Sequence, residues 1–311
     1  MKHNLIRWMF ALTAAYAAVA MGQSAAMDMP TSGSFATPDV AVQALAQAVK
    51  ANDLNALQFI FGCDAYWLIH SGDDVADANN RKLFSAAYDE SHKLVPNKDA
   101  SETLIVGKDQ WPFPIPLVKR GDRWIFDTQA GENEILKRRI GRNELSAMRV
   151  SQAIVAAEHQ YATRHLDGDG MPVYTARLAS SPQQHDGLYW ATSASEPPSP
   201  LGPLLADAAA EGYDSAKTRP LAPYHGYYYR ILTHQGKSAA GGERDYIVHG
   251  KFMGGFAVLA YPAQYRVSGV MSFIVDRNGA IYAKDLGEDT KKSVASMTSF
   301  DPDPSWKQDG P

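Results

Sequence analysis

Two carboxylates two residues apart, in His165-Leu166-Asp167-Gly168-Asp169-Gly170, are the nearest approach in this chain to a metal-binding pattern. An EF-hand loop needs oxygen ligands at its first, third and fifth positions, glycine at the sixth and a bidentate glutamate at the twelfth. Here the first position is His165 and the twelfth is Ala176. Asp167 and Asp169 would therefore hold Ca²⁺ weakly, and the stretch reads instead as a tight Asp/Gly turn. Glu158, His159 and His165 lack the spacing of a helical zinc pair, which sets two histidines four residues apart. His225, set among Tyr224, Tyr227, Tyr228 and Tyr229, has the chemistry of a general base, although a histidine in an aromatic strand more often serves structure.

Nucleophile elbows of the form Gly-x-Ser-x-Gly, Ser-x-x-Lys pairs, His-Glu-x-x-His and phosphate-cradling glycine loops are absent from the sequence. No catalytic residue and no cofactor is assigned on this basis, and a non-enzymatic protein is favoured over an enzyme. The single cysteine, Cys63, follows Phe59-Ile60-Phe61-Gly62 and reads as a small buried core residue. The aromatics Trp111, Tyr189, Trp190, Tyr224 and Tyr227, with His225, fall in loops or at strand starts. Large amphipathic rings there form a recognition surface or pack two domains together. The basic run Lys137, Arg138, Arg139 and Arg142 has two readings as well, an anion site for an envelope component or a solvated helix end.

The composition, 45% hydrophobic and 21% charged over 311 residues, is that of a folded protein with a real core and length for two domains. Lys2 and Arg7 precede an apolar run from Trp8 to Met21, and small residues follow at Ala18-Val19-Ala20 and Ser24-Ala25-Ala26. This is the pattern of a cleaved secretory leader over 1–26, with a linker over 27–35. Its removal takes the net charge from -4 to -6 and leaves nothing that invites nucleic acid or spans a membrane. Export with one cysteine leaves folding to packing, without an internal disulfide.

An α+β fold is expected in two parts, an N-terminal α+β domain over 36–130 and a central helix with a C-terminal antiparallel sheet over 131–311. Thr37 and Pro38 start a helix with Val42, Leu45 and Val49 on its inner face, and a second runs from Leu54 to Phe61. Leu104 to Val106 reads as a strand, and the runs 117–119 and 124–126 flank a hairpin turn at Arg120-Gly121-Asp122. Pro112, Pro114 and Pro116 put three missing N–H groups on one edge, which makes that segment a blunted edge strand or a polyproline ligand. One helix ends at the basic run and is broken by Gly141; a longer one, capped by Asn143, reaches Arg164. Residues 180–223 form a Pro/Ser/Ala-rich loop region with one short helix from Pro203 to Glu211. The runs 227–232, 256–261, 270–276 and 280–284 form an antiparallel meander, with Asn278-Gly279 as a two-residue hairpin turn.

Three resemblances accompany this reading. The helix, Ala-Asn-Asp turn, helix and hairpin of residues 36–128 resemble the cone-shaped folds of the nuclear-transport-factor-like superfamily. Gly226-Tyr227-Tyr228-Tyr229-Arg230, Gly255 to Pro262 and Gly269 to Asp276 are similar to the C-terminal sheet of pseudopilins and minor pilins. Nearly the whole mature chain resembles the bacterial exported family known as the domain of unknown function numbered 2950. That resemblance is carried by Phe35-Ala36-Thr37-Pro38, Gly107 to Pro116, Arg138 to Leu145, Asp186 to Trp190, Pro223 to Tyr228 and Phe300-Asp301-Pro302-Asp303. The family implies no activity or site residue. The function expected is therefore a periplasmic or secreted, non-enzymatic protein that binds another envelope protein. The alternative is a small-ligand binder or hydrolase with a pocket in the N-terminal domain or between the domains.

Overall fold

Each long helix of the N-terminal half opens where a short oxygen-bearing side chain meets its free N–H groups. Thr37 accepts from the Val40 N–H at 3.2 Å and Pro38 fills the first position of α1 (Pro38–Lys50). Asn52 turns the chain at φ 51°, and Asp53 caps α2 (Leu54–Phe61) through the Ala56 N–H. A short α3 (Tyr66–Ile69) precedes α4 (Asp74–Glu90), capped by Asp73. The structure is a computed structural model describing residues 33–193, 195–213 and 223–309. The expected leader, most of the linker and part of the 180–223 loop region lie outside the described residues.

The helices pack on an antiparallel sheet of β1 (His92–Pro96), β2 (Glu102–Val106), β3 (Trp111–Pro112), β4 (Leu117–Arg120) and β5 (Arg123–Phe126). Its order is β1-β2-β4-β5, with β3 also on β2, and β4 and β5 form the expected hairpin. The proline segment departs from the expected edge strand. Trp111 and Pro112 pair with β2, the Phe113 N–H donates to the Leu104 carbonyl at 2.7 Å, and the chain then leaves the ladder until Leu117 rejoins opposite Glu102. With no N–H at Pro112, Pro114 or Pro116, this detour forfeits few ladder bonds, and it sets Phe113 among Phe61, Phe84 and Phe126.

One helix, α5 (Thr128–Arg164), replaces the two expected from the sequence. Gly141 does not break it, because a glycine costs a helix only about 1 kcal/mol and buried residues run from Gly131 to Ala162 along its length. Asn143 is no cap; its amide donates to the Ser268 carbonyl at 2.8 Å. A Cβ at Gly141 would meet nothing within 4 Å. Gly141→Ala is therefore expected to raise stability by about 0.5–1 kcal/mol, seen as a higher denaturation midpoint at unchanged slope. A lower midpoint would show that the helix depends on a weak point there.

The chain continues through α6 (Gly202–Ala210), close to its expected place, and β6 (Tyr227–Leu232). Short strands β7 (His234–Gln235), β8 (Arg244–Asp245), β9 (Ile247–Val248) and β10 (Lys251–Phe252) follow. Then come β11 (Ala257–Pro262), β12 (Met271–Asp276), β13 (Ile281–Asp285), α7 (Thr290–Ala295), β14 (Ser299–Phe300) and β15 (Lys307–Asp309). The expected meander is present, as an antiparallel sheet in the order β15-β13-β12-β11-β6. Four consecutive residues of β11, Ala257 to Ala260, are fully buried, so both faces of that strand are covered. The β12–β13 turn differs from expectation. It spans Arg277 to Gly279, with Gly279 alone at positive φ and the Asp276 carboxylate accepting from the Asn278 and Ala280 N–H groups. A two-residue type I′ turn would need Asn278 left-handed too.

The fold is thus α+β, and no described helix is long and apolar enough to cross a membrane. One buried cluster gathers Leu45, Ile115, Leu117 and Phe126; another gathers Ile154, Tyr227, Leu259 and Phe273. Helix α5 runs through both, placing Ile135 against the first and Ala147, Val150 and Ile154 in the second. Beside it, Glu144 accepts from the Val270 and Met271 N–H groups, while Asp73 receives the Tyr213 hydroxyl and the Gly226 N–H.

Candidate functional site

Helices α1, α2, α4 and α5, with the proline detour, border an open cavity of about 430 Å³ in the N-terminal half. Leu45 and Val49 of α1, Leu57 and Phe61 of α2 and Val106 of β2 contribute apolar lining from the edge of the core. Phe84 and Ala87 of α4, Phe113 and Pro114 of the detour and Ile135 of α5 add further apolar wall. Volume and lining are those of a small-molecule site.

The helical repeat explains why one part of the lining is polar. On α5, Ile135, Arg138, Arg139 and Arg142 recur at three- and four-residue spacing and all reach the cavity. On α4 the same spacing carries Asp77, Asn80, Arg81 and Phe84. Apolar side chains therefore stand late on α4 and early on α5, and the polar ones meet where Asp77 faces the charge of Arg139. The basic run expected at a helix end instead lies within α5, with Arg138, Arg139 and Arg142 on the cavity.

These arginines are held differently. Arg139 is buried, and its guanidinium donates to the carbonyls of Trp67 and Leu68 at 2.8 and 3.0 Å, tying α3 to α5. Arg138 pairs with Glu134 at 2.6 Å and lies over the Trp111 ring, 5.5 Å from its centre. Arg81 gives its Nε–H to Asn52 and keeps its terminal nitrogens for other partners. Arg142 is exposed and makes no ion pair among the described residues. The one carboxylate, Asp77, is held above the usual range by burial, opposed by hydrogen bonds from Ser71 and the charges of Arg139 and Arg81. A single carboxylate among four arginines offsets their charge only in part.

The residues singled out from the sequence do not form one surface. Trp111, 40% exposed, belongs to this cavity. Tyr189 and Trp190 pack against the C-terminal core, Trp190 stacked on His185. Tyr224 and His225 lie beside Tyr213 at the Asp73 junction, where His225 Nε2 is 3.3 Å from Glu211. Burial, with the nearby charges of Glu211 and Asp207, pushes Tyr224 up to about 12. Tyr227 corrects the expectation: it is 0% exposed and its hydroxyl donates to the Met271 carbonyl, so it belongs to no surface. Asp167 turns one oxygen to the Asp169 and Met171 N–H groups, and the other lies 3.8 Å from Lys251. Among the described residues no three His, Cys, Asp or Glu side chains converge as a metal site.

Cys63 is also a correction. The turn after Gly62, at φ 91°, leaves it exposed beside a second, polar cleft that includes Asp64, Asp127 and Glu132.

Glu158 faces inward at 0% exposure, with one oxygen accepting from the Thr175 N–H and Oε1 without a partner among the described residues. Desolvation raises its pKa well above 4.5. The folded protein thus keeps this proton when the unfolded chain has lost it, and stability falls as pH rises from about 4.5 toward the folded value, by about 1.4 kcal/mol per pH unit. Glu158→Gln is expected to flatten that fall above about pH 4.5, measured by denaturation at several pH values. Equal slopes in both proteins would show that Glu158 is ionised in the fold.

The match to a family model described as "Protein of unknown function (DUF2950)" extends over residues 32–308. The chain belongs to this family. No curated protein and no solved structure matches the chain, so the pilin-like reading of the sheet gains no support. The DUF2950 match covers both cores, α5 and the cavity, so the arginine-lined cleft lies within the family region. A pocket in the N-terminal domain of the DUF2950 chain was the alternative expectation, but its polar lining on α4 and α5 was not foreseen. Its signal was the repeat Ile135, Arg138, Arg139, Arg142, hidden by ending a helix at Gly141.

Proposed function

We propose that this DUF2950 protein is an exported, non-catalytic binding protein of the cell envelope whose N-terminal cavity takes up a small molecule with an apolar body. The observation that carries this reading is the cavity itself, walled by Phe84, Phe113 and Ile135 rather than closed by core packing. Export rests on the leader pattern of residues 1–26. The binding reading is preferred to hydrolysis because the lining offers one carboxylate, Asp77, and no nucleophile with an adjacent base. It is preferred to an envelope-protein partner because Trp111, Trp190 and Tyr224 lie in three different settings.

Titration with the uncharged probe N-phenyl-1-naphthylamine tests the reading. Saturable, blue-shifted fluorescence at one probe per chain is expected. Fluorescence that rises linearly without saturating would overturn it.

A further inference from the structure

We infer that the cavity's ligand is an anionic amphiphile, a single hydrocarbon chain ending in an oxyanion such as a carboxylate or phosphate. This rests on the binding reading above and goes beyond it by naming the ligand's chemistry. Four arginines, Arg81, Arg138, Arg139 and Arg142, line the cavity against one carboxylate, in a chain whose net charge is -4. A positive patch on a negative protein selects anions by field as well as by contact. Arg139 is committed to the α3 carbonyls and serves as a positioning residue. Arg81 and Arg142 approach from different helices, with terminal nitrogens that make no ion pair among the described residues.

A guanidinium presents paired donors that fit an oxyanion's geometry, and such charge-assisted bonds are about twice as strong as neutral ones. The apolar wall at Phe84, Phe113 and Ile135 suits a hydrocarbon tail, and Trp111 with Arg138 borders the cavity between ring and charge. A purely apolar ligand would leave Arg81 and Arg142 without an anionic partner; a small free anion would leave the wall wet. A cationic amphiphile meets repulsion from Arg81 and Arg142.

The test is competition for bound N-phenyl-1-naphthylamine by dodecanoate, dodecyl phosphate, 1-dodecanol and dodecyltrimethylammonium. Both anions are expected to displace the probe at concentrations about tenfold or more below the alcohol, with the advantage shrinking as salt rises. The cation should be the weakest. Whichever anion leads identifies the head group, and either order supports the inference. Arg142→Glu and, separately, Arg81→Glu should bring the anion-to-alcohol ratio toward one in chains whose circular dichroism is unchanged. Displacement by alcohol and anions alike overturns the inference and leaves the binding reading standing. A probe that never binds overturns both.

Discussion

Replacing Asp73 with alanine is expected to cost about 3 kcal/mol or more of folding stability. The residue is 2% exposed and serves three donors. One oxygen caps α4 at the Ala76 N–H, 3.0 Å away, and the other accepts the Tyr213 hydroxyl at 2.8 Å and the Gly226 N–H at 2.9 Å. Loss of an N-cap alone costs about 1 kcal/mol. Leaving a buried hydroxyl and a buried N–H without a partner adds about 1–3 kcal/mol each. Gly226 sits at φ 75° where a Cβ would meet the Asn143 amide at 2.6 Å, so the chain there cannot easily move to find another acceptor. Denaturant unfolding of Asp73→Ala beside Tyr213→Phe makes the comparison, since the second removes one donor and keeps the cap. A loss below about 0.5 kcal/mol for Asp73→Ala would contradict the junction's role.

Gly131→Ala should be the second large loss, about 2 kcal/mol, although alanine is the better helix former. A Cβ at Gly131 would stand 2.7 Å from Ile115 Cγ1 and 2.7 Å from the Pro114 carbonyl oxygen. Ile115 is fully buried and Pro114 lines the cavity, so neither can yield without disturbing core and site together. The same substitution at Gly141, ten residues along the same helix, meets open space and should stabilise. The opposite signs separate packing from propensity. A stabilised Gly131→Ala protein would mean that α5 does not rest on the 114–116 backbone as described.

Much of the framework is legible from local chemistry. Thr37-Pro38 and Asp53 mark helix starts because short oxygen side chains and proline suit the first turn, and the structure puts α1 and α2 there. The β4–β5 hairpin and the meander follow from β-branched and aromatic runs broken by turn residues. Helix α4 left almost no trace. Only Asp77 and Tyr88 are buried on it, and Phe84 and Ala87 are half-buried where its inner face borders the cavity as well as the core. A helix that serves an open site lacks the apolar stripe that announces a packed one. The same cause hid the site: Arg138 and Arg142 look like solvent-facing charges until the partner wall from 111–114 is placed opposite. Gly141 and Cys63 misled for a related reason. Local preference at a single residue, about 1 kcal/mol, is overruled by packing along the whole of α5 or by one turn at Gly62.

The space between α4, α5 and the proline detour is proposed as a binding site. The most direct test is to fill that space from within, by calorimetric titration of dodecanoate into the native protein and into Ile135→Trp, which puts an indole where the apolar wall now stands open. Saturable binding of one dodecanoate per native chain, lost in a folded Ile135→Trp protein, is the result the cavity predicts. Binding of equal strength in both proteins would contradict a site in this space, and binding in neither would contradict the anionic ligand assigned to it.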